Sequence, residues 1–215
     1  MIAVTFALPD ESRDFVRLLD RRAGDVKVLH TGVGSTITRA RIGALLEAQR
    51  LDFVISSGFA GAADASLGVG NLLLAENFSD PLLLARARTA INARVAKLIT
   101  AERVIESAVE RTQFARAHDA AAIDMETEWI ARACAERTIP MLSLRVISDS
   151  AAAPFPAPAS VLFDLERQST NPARLAGHLL THPVRIVSLM RFARQIARAR
   201  ASLTNALLLL LQALP

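Results

Sequence analysis

Apolar residues along this chain follow two alternating periods. Short runs of β-branched and aliphatic residues, each closed by small or polar ones, alternate with stretches whose apolar positions return every three or four residues. Ile2–Leu8 is the first such run, and the spacing of Phe15, Leu18 and Leu19 predicts a helix over Glu11–Arg22. Asp25–Ser35 (DVKVLHTGVGS) predicts a short strand ending in a Gly-rich turn, with a helix behind it through Ile42, Leu45 and Leu46. Leu51–Gly61 (LDFVISSGFAG) predicts a buried strand ending in small residues, and Val69–Phe78 another. A further strand falls within Ala93–Ile105, and Ile123 leads into a helix over Glu126–Glu136. Ile139–Ala151 closes the series with a strand ending at Ser148–Asp149. Repeated strand and helix units imply a layered α/β fold with a largely parallel sheet.

The character then changes. Ala151–Ser160 carries three prolines and cannot be helical across them. From Asn171 the pattern is helical and basic, with arginines at 174, 185, 191, 194, 198 and 200. Residues 1–215 read as a single domain, with 171–215 a basic, apolar helical extension.

Composition narrows the picture. The chain has 215 residues, 52% of them hydrophobic, and a mean hydropathy of +0.31, which fits a sheet covered on both faces. Net charge is +4, but with no tyrosine and 5% aromatic residues the stacking groups of single-strand binders are scarce, and no nucleic-acid partner is expected. One cysteine, Cys134, excludes an internal disulfide framework. The N-terminus reaches Asp10 and Glu11 too soon for a signal peptide. The apolar run Ala206–Leu214 is about half the ~20 residues a spanning helix needs. A cytoplasmic protein is expected.

Ligands of open α/β sheets gather beyond the carboxyl ends of the strands. Those ends hold Asp10–Glu11, Thr31–Gly34, Ser57–Gly61, Met125–Glu126 and Ser148–Asp149. Acids and small residues dominate. No His or Cys set has metal-ligand spacing, so neither metal nor cofactor is expected. The glycines lack the Walker lysine and a full G-x-G-x-x-G, and no G-x-S-x-G elbow supports a serine nucleophile.

In their order these ends resemble the nucleoside phosphorylase and methylthioadenosine/S-adenosylhomocysteine nucleosidase superfamily. ALPDE looks like its first strand end, TGVG and SSGFAGAAD like its glycine turns, IDMETEWIARAC like its EME motif, and LRVISDSA like its RxISD motif. The resemblance implies a three-layer α/β/α sandwich with a mostly parallel mixed sheet. It implies cleavage of a purine (adenine) nucleoside, and a homodimer. Glu11 falls on the catalytic glutamate, Met125 and Glu126 on the ribose-binding pair, and Asp149, with Ser148, on the purine-facing position. Val104 and Ile105 align with residues flanking the base. Gly34, Ser57, Gly58, Phe59 and Gly61 align with the phosphate or water site.

The chemistry needs such groups. Breaking the N-glycosidic bond leaves electron density on the base and an oxocarbenium-like sugar. An acid at Asp149, raised in pKa by an apolar setting beside Val146 and Ile147, suits N7. A carboxylate at Glu126 suits the ribose hydroxyls, and Glu11 suits a general base for water. Asp124 sits at an acidic position of the motif with no assigned job, and Glu128 reads as a first-turn helix acid. Phosphorolysis needs amides and arginine around a dianion. Here Ser56 and Ser57 stand where phosphorylases commonly carry arginine, and Phe59 replaces a serine, leaving Arg13, Arg39 and Arg41 as substitutes. Phosphate and water both remain open as nucleophile.

The tail resembles that of the hopanoid-associated phosphorylase branch. The leading expectation is therefore cleavage of an adenosylhopane-type nucleoside, with peripheral contact at the inner membrane surface through the basic helix. A soluble methylthioadenosine/S-adenosylhomocysteine nucleosidase is the alternative, and a nucleoside-binding protein without catalysis the third reading.

Overall fold

Every residue of Ile2–Phe6 is buried, and so is every residue of Met141–Asp149; strands covered on both faces call for helices above and below. The computed structural model of the chain has them. It describes residues 1–19, 26–105, 107–150, 163–164, 169–170 and 186–214. In order come β1 (Ile2–Phe6), α1 (Pro9–Leu18), β2 (Val26–His30), α2 (Ser35–Ala48), β3 (Phe53–Ala62), β4 (Leu72–Ala75), α3 (Pro81–Ala90), β5 (Arg94–Ala96) and β6 (Leu98–Thr100). Then follow α4 (Ala108–Ala117), β7 (Ala122–Asp124), α5 (Thr127–Ala135), β8 (Met141–Asp149), the short pair β9 (Phe163–Asp164) and β10 (Ser169–Thr170), and α6 (Ile186–Ala213).

The main sheet runs β2-β1-β3-β8-β4-β5, with β1, β2, β3 and β8 mutually parallel and β4 antiparallel to β8. Alternation along β1 sorts the core into two layers. Val4 and Phe6 pack with Phe15 of α1 and Leu203, Leu207 and Leu210 of α6, while Ala3 packs with Ile42 of α2 and Ile130 of α5. The expected three-layer α/β/α sandwich with a mixed, mostly parallel sheet is what forms.

Three expectations need correction. The stretch Ser57–Gly61 is no turn: β3 runs through it as a ten-residue strand, parallel to β8 along most of its length and antiparallel to β7 at its end. Its register against β8 shifts between Ala60 and Gly61, which lets one strand serve both partners. Ala93–Ile105 holds two strands rather than one, and Ile123 lies on a strand of its own, β7, parallel to β6. Helices α3 and α4 were not anticipated. α3 starts at Pro81 behind Asp80, whose carboxylate accepts the Leu82 and Leu83 N–H groups, and α4 starts behind Ser107, whose hydroxyl accepts from Glu110 N.

The second half of α6 is core rather than appendage: Ala199, Leu203, Leu207 and Leu210 are wholly buried. Its first half is largely exposed, including Val187 and Met190. Among the described residues no helix is long and apolar enough to cross a membrane. The Pro-rich stretch 151–160 and the helical pattern over 171–185, with Arg174 and Arg185, lie outside the described residues.

Candidate active site

The carboxyl ends of β1, β3, β7 and β8 converge on one cavity of about 510 Å³. Glu11, Met125, Glu126, Ser148 and Asp149 line it, and so do Val104, Ile105, Phe59 and Gly61. Gly34, Ser57 and Gly58 stand behind the lining.

Glu11 is the third residue of α1, and its side chain folds back over the helix start in half of a capping box. Oε2 accepts from Ala7 N at 2.8 Å and Leu8 N at 3.1 Å, and Oε1 accepts from Phe59 N at 3.1 Å on β3. Burial raises its pKa, and the three amides offset this only in part. Gly58 makes the contact possible: its φ is 151°, and a Cβ there would stand 3.3 Å from Glu11 Oε2.

Glu126 caps the start of α5, and its Oε1 accepts from Gly34 N at 3.3 Å, at the N-terminus of α2. Its pKa is pushed up to about 8, first by burial and then by the neighbouring charges of Asp124 and Glu11. Neither Glu11 nor Glu126 is in an ion pair among the described residues.

Asp124 and Arg145 form the foundation beneath them. The Arg145 guanidinium, 2% exposed, donates from Nε to Asp124 Oδ2 at 2.9 Å, from Nη1 to Ser56 O at 2.8 Å, and from Nη2 to Ser56 Oγ at 2.9 Å and Thr127 Oγ1 at 2.5 Å. Asp124 also accepts from Thr100 Oγ1 at 2.8 Å, Thr127 N at 3.1 Å and the Thr127 hydroxyl. Asp124 therefore has a job: it neutralises a buried arginine and ties β7 and α5 to β8. Trp129 is half-buried, with the guanidinia of Arg39 and Arg132 over its ring.

The base side departs from expectation. Asp149 is not in a purely apolar setting. Arg111 of α4 donates from Nη1 to its Oδ2 at 2.5 Å and from Nη2 to Ile105 O at 3.1 Å. Ser148 turns its hydroxyl to Asp149 Oδ1 at 2.9 Å and to Ala60 O at 3.3 Å, so at the cavity wall it positions the acid.

Two amides aligned with the phosphate or water site are already engaged. The Phe59 amide is taken by Glu11 and the Gly34 amide by Glu126. Ser57 is buried off the cavity wall. Of the substitute arginines, Arg39 lies over Trp129 and Arg41 donates to His30 O. Arg13 reaches the cavity edge but is exposed and paired with Asp10 at 3.7 Å. Among the described residues no group of His, Cys, Asp and Glu could hold a metal ion.

Arg111 and Arg145 are the site residues that sequence reasoning missed. Arg145 had a signal, since an arginine within a mostly apolar run that reads as a buried strand must find an acid. Arg111 had none: it is one of several charges on a polar helix.

Comparison with known proteins agrees with this geometry. A family model described as the phosphorylase superfamily matches residues 76–181. A 5′-methylthioadenosine/S-adenosylhomocysteine nucleosidase of Staphylococcus aureus is 23% identical, the match covering 59% of this chain and 69% of that protein. Among solved structures, the nucleosidase of the same description from S. pneumoniae superposes with a TM-score of 0.74 at 17% identity, covering 100% of this chain and 99% of the other. The native futalosine hydrolase of Helicobacter pylori superposes with a TM-score of 0.73 at 16% identity, covering 99% and 97%. These likenesses establish the shared fold.

Proposed function

Because this chain belongs to the phosphorylase superfamily, we propose that it is an N-glycosidase that releases adenine from a nucleoside bearing an apolar 5′ substituent, with water as the nucleophile. The observation that carries the choice of water is the use of the amides. The N–H groups of Ala7, Leu8, Phe59 and Gly34 already serve two buried carboxylates. A phosphate dianion placed there would meet two carboxylates and amides that are already engaged.

Glu126 accepts the ribose hydroxyls, and Met125 packs its thioether against the sugar. As the C1′–N9 bond breaks, its electron pair passes to the base and positive charge grows on the sugar, where the two carboxylates stabilise it. Glu11, its basicity raised by burial, takes a proton from the attacking water, whose oxygen bonds C1′. The base anion takes up one proton, so the net reaction consumes one water.

The apolar substituent is supported by α6. Leu189, Phe192, Ala193 and Ile196 line the same cavity as the carboxylates, an apolar wall suited to an adenosylhopane-type substrate. The other face of that helix carries Val187 and Met190 with Arg191, Arg194 and Arg198, all exposed, and suits an anionic bilayer. Liposome flotation should weaken when the three arginines become glutamates. Equal flotation of both proteins removes the membrane from the account. A homodimer belongs to the same reading, and sedimentation counts the chains.

The deciding test is adenine release from methylthioadenosine and from an adenosylated hydrophobic analogue, each with and without phosphate. Phosphate-independent release, faster from the hydrophobic analogue, is expected. Faster release from methylthioadenosine would move the substrate to the soluble nucleosidase class. Phosphate-dependent release would overturn the choice of water.

A further inference from the structure

Glu11, Glu126 and Met125 serve the sugar and the water, which leaves the base to the opposite wall. There, among the described residues, stand a buried ion pair, a serine already spent on it, and Arg103, which is exposed and paired with Glu110. Arg111 and Asp149 both line the cavity, joined at 2.5 Å, beside Val104 and Ile105. Both are nearly removed from solvent, Arg111 at 8% and Asp149 at 2% exposure. The pair lies flat on Gly61: a Cβ there would meet Arg111 Nη1 at 3.1 Å and Asp149 Oδ2 at 3.3 Å. β3 thus leaves room at this point for two charged heads and nothing more.

A guanidinium beside a carboxylate presents a donor next to an acceptor. The edge of adenine opposite its pairing edge presents the complement, with N7 as acceptor and the 6-amino group as donor. Hypoxanthine places O6 in that second position, so an acceptor would face the Asp149 carboxylate. Arg111 has five N–H groups, of which the structure engages two, and a carboxylate has about four lone-pair directions. Both partners therefore keep capacity for a base.

We propose that the Arg111–Asp149 pair, rather than Asp149 alone, reads the base: Arg111 donates to N7 and Asp149 accepts from the 6-amino group. In that arrangement the electron density arriving on the base is met by a fixed cation through N7, and Asp149 holds the guanidinium in place. Arg111 serves here as a hydrogen-bond donor and not as an acid, so the leaving base takes its proton from solvent.

The inference rests on the adenine-nucleoside reading only for the identity of the base, and its test does not need turnover. Calorimetric binding of free adenine, hypoxanthine and 7-deazaadenine is measured on the wild-type chain, Arg111→Gln and Arg111→Lys, with folding checked by circular dichroism. Wild type should lose about tenfold or more in affinity for each analogue. Arg111→Gln should bind adenine more weakly and discriminate little against 7-deazaadenine, whereas Arg111→Lys, with one donor and the charge retained, should recover part of that discrimination. A purely structural role for Arg111 would weaken all three ligands alike. Unchanged discrimination in a folded Arg111→Gln, or in Arg111→Lys should the glutamine variant not fold, would overturn the proposal. Adenine-selective binding through Arg111 without turnover of any nucleoside would leave this proposal standing and sink the enzymatic one.

Discussion

The wall built by α1 and β7 and the wall built by α4 and β8 both offer carboxylates to one cavity, but in opposite company. Glu11 and Glu126 receive only backbone N–H groups and are raised in pKa by burial. Asp149 is fastened to Arg111, and below the site Asp124 is fastened to Arg145. The same functional group thus serves either as an acceptor for amides and hydroxyls or as the partner of a guanidinium. What decides is whether the fold supplies a cation within bonding distance.

Removing the first kind of carboxylate should cost activity and little stability. Glu126→Ala should lower adenine release by about 10³-fold or more. Its thermal midpoint should stay level or rise, because a desolvated group raised in pKa by burial is gone. A large loss of stability together with activity would erase the contrast between the walls. The second kind should behave in reverse. Arg145→Met leaves Asp124 buried and uncompensated, and denaturant titration should show a loss of about 3–5 kcal/mol.

Gly58→Ala probes the sugar-side wall through its backbone. At φ 151° and with Glu11 Oε2 3.3 Å from the new Cβ, it should cost about 1–3 kcal/mol and lower kcat by displacing the general base. A kcat equal to wild type would separate Glu11 from the chemistry.

Proton linkage sharpens the same comparison. Glu126 has a folded pKa of about 8 against an ordinary value of 4.5, so the folded chain holds the extra proton between those two values. Stability should therefore fall as pH rises from 4.5 to about 8, and Glu126→Gln should flatten that slope in urea titrations at a series of pH values. kcat/KM should rise over the same interval as Glu126 ionises. The smallest effect lies on α6, at the edge of the cavity. Arg200→Ala breaks the 2.7 Å pair that ties α6 to Asp14 of α1 and should cost about 1 kcal/mol. Since Asp14 is held below its ordinary 3.8 by Arg200, that contribution is present above 3.8 and fades as pH falls through the lowered value.

Much of the fold was legible because β1, β3 and β8 are buried on both faces and read as unbroken apolar runs. The ends of those runs also located Glu11, Glu126 and Asp149, since a parallel sheet sends its carboxyl ends to one edge. Polar periodicity hid α4, whose apolar positions form no clear stripe, and with it Arg111. The Arg111–Asp149 pair spans 38 positions of sequence, and no local rule joins such residues. Ser57–Gly61 was misread for a physical reason too. Small residues that usually close a strand here let two strands and a carboxylate approach β3 closely. The use of amides by Glu11 and Glu126 could be seen only in three dimensions, and on it rests the choice between water and phosphate.

That choice is tested most directly by phosphorus NMR of the reaction with the hydrophobic adenosyl analogue at saturating phosphate. The account predicts adenine and free sugar, with inorganic phosphate the only phosphorus signal. A sugar 1-phosphate resonance growing in step with adenine would contradict it.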